Sequence, residues 1–73
     1  MANEASKHAL TSLFPMIADR LTRAHGFAEA ARTCAETGNY DGAFRILLDV
    51  EQPLYDATTL LNAAALIRRE SEG

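Results

Sequence analysis

The ten residues Ala35–Phe44, which read AETGNYDGAF, are the most informative part of the sequence for the fold. Small and apolar residues at both ends of this stretch enclose a polar centre that contains two glycines. Gly38 suits the left-handed conformation that stops a helix, and Asn39 is a favoured N-cap for the next helix. Asp41 falls in the first turn of that helix, near the positive end of its dipole. The stretch therefore predicts a tight corner between two helices.

The same stretch could instead be a loop that binds an ion or a phosphate. A phosphate loop would need a lysine at a defined spacing and a strand before it, and neither is present. A calcium loop would need alternating acidic residues and a distal glutamate, which are also missing. We therefore expect a structural corner.

Before the corner, apolar residues recur at intervals of three and four, which is typical of a helix face. Pro15 interrupts this pattern. Either Ser12 is an N-cap that places Pro15 in the first turn, or a helix begins near Ala5 and is kinked at Pro15. Gly26 is expected to end this helix as a C-terminal cap residue. A second helix then follows from Phe27 to the corner, with a face of small side chains.

After the corner, the helix that begins at Tyr40 must end by Gln52, because Pro53 disfavours a helical conformation in the residue before it. A last helix is expected to begin near Pro53 or Asp56 and to run towards Arg69. No segment alternates with a period of two, so we predict no strand.

These patterns predict an all-α fold, a small bundle of three or four short antiparallel helices in one domain over residues 1–73. Residues 1–8 and 70–73 are expected to fray. The predicted core consists of large apolar side chains and one alanine: Leu13, Ile17, Leu21, Phe27, Phe44, Leu47, Leu61 and Ala64.

Residues 27–54 resemble a single unit of the tetratricopeptide repeat, a hairpin of two antiparallel helices of about 34 residues. The letters that carry the resemblance are Phe27, Ala30, Ala31 and Cys34, then Gly38, Tyr40 and Ala43 in the pattern G-x-Y-x-x-A. Ala31 stands where the family prefers glycine, and the closing Pro53 comes about two residues early. The resemblance implies a helical hairpin with a binding role.

Length and composition narrow the class of protein. A chain of 73 residues buries only about 60% of its unfolded surface, so a partner chain is expected to help stabilise it. Cys34 is the only cysteine, which excludes a disulfide within one chain and favours the cytoplasm. No apolar run approaches the roughly 20 residues of a membrane span, and the first 20 residues lack the pattern of a secretory signal.

The charge is unevenly distributed. The formal net charge is −3, and residues 36–56 carry five acidic residues against Arg45 alone. Such a surface repels nucleic acids and anionic lipids and attracts a basic partner. A helix-turn-helix regulator is the main rival to this interpretation, but its second helix would be acidic, whereas DNA binding depends on cationic contacts to phosphates.

Residues that could carry chemistry are few. His8 and His25 lack the spacing of a helical metal site, and no base and orienting group accompany either of them. Cys34 lies on an apolar face, where it behaves as a small hydrophobic residue. We therefore expect no enzyme, no cofactor and no metal.

The surplus of apolar residues around the third predicted helix suggests a binding surface. So many large side chains in one short helix exceed what a small core can bury, and exposed apolar patches often mark interfaces. The predicted function is a non-catalytic protein-interaction module, such as an adaptor, a chaperone or an immunity-type inhibitor. The alternative is a self-associating structural subunit, for example a homodimer. The predicted protein-binding residues are an apolar patch and its acidic rim: Ile46, Leu48, Asp49, Val50, Glu51, Leu54, Tyr55 and Asp56.

Overall fold

The computed structural model describes residues 4–72, which form two long helical arms folded into a hairpin of 53 × 15 × 12 Å. The first arm is one helix, α1 (Glu4–Glu36). The second arm contains α2 (Tyr40–Leu47), a 3₁₀ turn (Leu48–Val50) and α3 (Glu51–Glu72), which follow one another without a gap. The prediction of an all-α fold is confirmed over the described residues, which contain no strand.

The corner forms as the sequence predicts. Gly38 has a φ of +90°, and its N–H donates to the Ala35 carbonyl at 3.0 Å. The Asn39 N–H donates to the Cys34 carbonyl at 3.2 Å, which completes a Schellman motif at the end of α1. Asn39 then caps α2, because its side-chain oxygen accepts from the Gly42 N–H at 2.9 Å. This turn reverses the chain within three residues, so the second arm packs antiparallel along the first.

The predicted bundle of three or four short helices is wrong in its subdivision, because predicted breaks before the corner do not occur. Gly26 lies inside α1, where glycine costs about 1 kcal/mol but does not end a helix that is packed against a neighbour. Ser12 is not an N-cap, since its hydroxyl donates to the His8 carbonyl at 3.1 Å within the same helix. A helical start near Ala5, the other alternative, agrees with the observed start at Glu4.

Both prolines are accommodated within helical arms. Pro15 and Thr11 are both exposed on the outside of α1. Because proline has no backbone N–H, the Thr11 carbonyl lacks its usual helical hydrogen bond. The helix nevertheless continues through Pro15. Pro53 lies in the first turn of α3, directly after the 3₁₀ turn. Proline tolerates this position, and the tighter turn before it avoids a clash with the preceding carbonyls. The helix that begins at Tyr40 ends at Leu47, but the predicted effect of Pro53 on the residue before it is wrong, because Gln52 is helical within α3.

The core differs most from the prediction. Among the described residues, the buried apolar ones are Pro53 and five alanines, Ala24, Ala31, Ala43, Ala57 and Ala64, and no large side chain is fully buried. Of the predicted core, only Ala64 is buried, while Leu13 and Ile17 are half-buried. The other five are exposed: Leu21, Phe27, Phe44, Leu47 and Leu61. Over residues 4–72, the two arms form a single layer, and no third element covers these side chains.

Both arms are helical up to the ends of the described residues. Residues 4–8 and 70–72 are helical, whereas residues 1–3 and 73 of the segments expected to fray lie outside the described residues. Fraying of both ends stays a prediction.

Candidate functional site

Burial along both arms repeats every seven residues and defines a seam between them. The positions that face the other arm are separated alternately by three and by four residues, so that the pattern repeats every seven. In α1 these positions are Leu10, Leu13, Ile17, Arg20, Ala24, Phe27, Ala31 and Cys34, of which Phe27 alone remains exposed, at 38%. In the second arm they are Ala43, Ile46, Val50, Pro53, Ala57, Leu60, Ala64 and Ile67. Alanine at the most buried positions lets the two backbones approach closely, as in an antiparallel coiled coil with small core residues.

The two sides of this seam differ in chemistry. On one side of the seam, each arm carries a series of apolar residues that are seven positions apart. We call this side the apolar face and define it by nine residues: Phe14, Leu21, Ala28, Ala35, Tyr40, Phe44, Leu47, Leu54 and Leu61. Seven of the nine are large side chains that remain exposed.

The apolar face contains two grooves. The groove near the corner, which we call the corner groove, has a volume of about 300 Å³. Ala28, Ala31 and Ala35 line it from α1, and Phe44 and Leu47 line it from the second arm. The groove near the open end has a volume of about 460 Å³ and is lined by apolar residues and two arginines: Leu10, Phe14, Leu61, Ala64, Ala65, Arg68 and Arg69. The apolar face is therefore ridged, with space between its large side chains.

The opposite side of the seam carries a cluster of charged residues beside the exposed Met16, and we call it the polar side. Arg20 lies at a seam position, and its guanidinium contacts Asp19 at 2.7 Å and Asp56 of the other arm at 3.6 Å. Asp19 also pairs with Arg23 at 3.2 Å, and Asp56 accepts from the Gln52 amide at 2.8 Å. These exposed pairs contribute little stability. The short corner between α1 and α2 sets the register of the arms, and the contact between Arg20 and Asp56 agrees with that register.

A second ionic cluster lies on α1 near the corner. Arg32 bridges Glu29 and Glu36, with a distance of 3.5 Å to the Glu36 carboxylate. The hydrogen bond from Arg32, followed by its charge, lowers the pKa of Glu29, and the same hydrogen bond raises the pKa of Arg32. The cluster lies at the rim of the corner groove, which Arg32 helps to line.

The structure distributes the eight predicted binding residues over different surfaces. Ile46 and Val50 are half-buried in the seam. Leu54 belongs to the apolar face, and Glu51 is exposed beside it. Asp49 and Asp56 line grooves on the polar side, and Tyr55 lines one of these with Asp56. Leu48 is exposed on the outer surface of the second arm.

Sequence reasoning missed the contribution of α1 to the apolar face. Phe14, Leu21 and Ala28 are seven residues apart, as are Leu47, Leu54 and Leu61. This second heptad series, next to the seam series, was the available signal. A search for apolar residues spaced by three and four does not separate the seam positions from the neighbouring positions of the apolar face. It therefore places the large residues of the apolar face in the predicted core.

The residues expected to be chemically inert have unremarkable surroundings. Cys34 is half-buried, and its thiol lies 3.5 Å from the Asn39 carbonyl. His8 and His25 are exposed on α1. Over residues 4–72, no group of three or more potential metal ligands comes together, and no helix is long and apolar enough to span a membrane.

Comparisons with known proteins identify no relative of this chain. No protein-family profile matches the chain, and searches of curated proteins and of solved structures return no significant match.

Proposed function

We propose that this chain is a non-catalytic protein-interaction module that binds a helical protein surface through its apolar face. The observation that carries this proposal is the row of large exposed side chains on one side of the hairpin, from Phe14 to Phe44. Monomeric proteins seldom expose contiguous apolar patches of this extent, and such patches commonly mark interfaces. Ridges at heptad spacing suit the packing of another pair of helices.

The chemistry of the grooves supports a binding role over a catalytic one. The two grooves of the apolar face are lined by alanines, leucines and aromatic residues, with arginines at their rims. Acid–base or nucleophilic catalysis needs a titratable group with a partner that activates it. Neither of these two grooves places a histidine, cysteine or carboxylate in such an arrangement.

The charge distribution favours a partner that is neutral or basic near the corner. Residues 25–51 carry five acidic and two basic residues, a net charge of −3, and the rest of the chain sums to zero. Rim charges of this kind mainly affect association rate and partner choice. This charge also makes a nucleic-acid ligand less favourable. The two arms lie antiparallel along the length of the hairpin, whereas the two helices of a helix-turn-helix cross at a steep angle.

Two classes of partner fit this surface. An adaptor, chaperone or inhibitor would cover it with a different protein, and a structural subunit would cover it with another copy of itself. The alanine core favours the second class, because such a small core leaves the isolated hairpin marginally stable.

A photo-crosslinking experiment tests the role of the apolar face. A photoreactive amino acid replaces Leu54 on the face or Leu48 on the outer surface, two leucines of the same arm that are 46% and 57% exposed. After irradiation in cells, we expect protein adducts, a second copy included, from position 54 and few from position 48. Equal yields at both positions, or no adduct from position 54, would contradict the proposed function.

A further inference from the structure

We infer that the occupant of the apolar face is a second copy of this chain, bound head to tail, so that two hairpins form a four-helix bundle. This inference rests on the proposed function and specifies its partner. Four observations support it: the size of the core, the area of the face, the distribution of large and small residues along the face, and the distribution of charge.

The core argues for a partner that is present whenever the protein folds. The five buried alanines remove little apolar surface from water compared with larger aliphatic side chains. A short chain with this core needs another stabilising element, and Cys34 can provide no disulfide within the chain. A second copy is available wherever the chain is synthesised, which is not guaranteed for an unrelated partner.

The area of the face matches what a stable dimer requires. The hairpin is 53 Å long and 15 Å wide, so one side of it presents about 800 Å². A specific protein–protein interface of standard size buries about 800 Å² per partner. Two hairpins that meet along their whole length therefore bury enough surface for a stable dimer.

The order of large and small residues makes the face complementary to itself. Phe14 lies seven residues before Leu21, and Ala28 lies seven residues after it. Ala28 lines the corner groove. A two-fold axis at the level of Leu21 places Phe14 of each copy at the level of the corner groove of the partner copy. The same axis exchanges the levels of Leu47 and Leu61, which flank Leu54. A symmetric interface requires such self-complementarity.

Charge selects the head-to-tail orientation. The whole net charge of −3 resides in residues 25–51, around the corner. A parallel dimer would bring the two acidic corners together, at a cost from repulsion between like charges. A head-to-tail dimer places each corner beside the partner copy's neutral open end.

The mass of the unmodified protein in solution is the first test. Sedimentation equilibrium should give twice the monomer mass of 7.9 kDa. Leu54→Glu should shift the equilibrium to the monomer by at least a hundredfold in Kd, because it buries a carboxylate near the two-fold axis. Leu48→Glu introduces the same change on the outer surface and should remain dimeric. Circular dichroism verifies that each variant is helical.

The orientation is tested by a distance between spin labels in the otherwise native chain. Thr33→Cys in a Cys34→Ser background places one label per copy, twelve residues from Leu21. A head-to-tail dimer separates the two labelled positions by about 36 Å along the bundle, from a rise of about 1.5 Å per residue. A parallel dimer would bring them within about 20 Å, a distance of two helix diameters.

A monomeric wild-type protein at micromolar concentration would overturn the inference, as would a short distance between the labels. Neither result would decide the proposed function, which fails only if crosslinking from position 54 equals the background at position 48. Adducts from position 54 that contain only other proteins would contradict the second copy and still support the interaction module.

Discussion

At the residue scale, two glycines of the same chain have opposite roles. Gly38 adopts a φ of +90°, which a residue with a Cβ disfavours, although a Cβ there would meet no atom within 4 Å. Gly26 also has open space around it, but it lies in the interior of α1, where alanine is the better helix former. We expect Gly38→Ala to lower the free energy of unfolding by about 1 kcal/mol and Gly26→Ala to raise it by about 0.5–1 kcal/mol.

Urea denaturation of the two variants and the wild type measures both changes, at one protein concentration. Each variant serves as the control for the other, because both add the same methyl group. Equal effects of the two substitutions, in either direction, would show that backbone conformation does not distinguish these sites.

The contrast between these glycines also explains which single residues the sequence could predict. The corner depends on neighbours within five positions, so Gly38 and Asn39 could be assigned from local capping rules. Gly26 depends on the second arm, which packs along α1 and keeps it helical. A local rule cannot include that contribution, and it therefore placed a helix end at the wrong glycine.

At the element scale, the spacing between the arms depends on alanine. Ala24 is 5% exposed at the seam, so Ala24→Leu would insert three carbon atoms where the backbones are close. Overpacking of this kind typically costs about 1–3 kcal/mol, and we expect the melting temperature to fall accordingly. Ala30→Leu is the control, because Ala30 is exposed on the same helix.

Melting curves followed by circular dichroism at a fixed concentration measure this difference. If Ala24→Leu and Ala30→Leu melted at the same temperature, the arms would not be in close contact at Ala24. The seam assignment would then be wrong at its most buried position.

The seam shows why helix content was predictable and helix assembly was not. Steps of three and four indicate a helix whichever face is buried, so the all-α class followed from the pattern alone. The choice between the seam and the apolar face needs the relative positions of both arms. Large side chains are usually the more buried ones, and here alanines take that place because the hairpin has only two arms.

At the scale of the whole molecule, the exposure of large apolar side chains was predictable, whereas their distribution over the surface was not. The surplus of apolar residues after the corner correctly indicates that some large side chains remain exposed, as Leu48, Leu54 and Tyr55 do. The fold then separates Leu54, on the apolar face, from Leu48 and Tyr55, which are seven residues apart and follow the apolar-face positions by one residue. It also adds Phe14 and Leu21 of α1, which are distant in sequence and could join the surface only through the hairpin.

If the second copy supplies the missing core, unfolding and dissociation occur together, and the melting temperature depends on protein concentration. Each tenfold rise in concentration should stabilise the dimer by about 1.4 kcal/mol. For a unit of this size, that free energy corresponds to a rise of about 3–6 °C in melting temperature. Differential scanning calorimetry over two decades of concentration measures the slope.

The variants of the two surfaces separate this dependence from general stability. Leu54→Glu should melt at a lower temperature that no longer changes with concentration, because the isolated hairpin has only its alanine seam. Leu48→Glu changes the outer surface and should keep the wild-type slope. A wild-type melting temperature that is constant over the whole range would mean that the hairpin folds alone, and that the five alanines of the seam suffice for its stability.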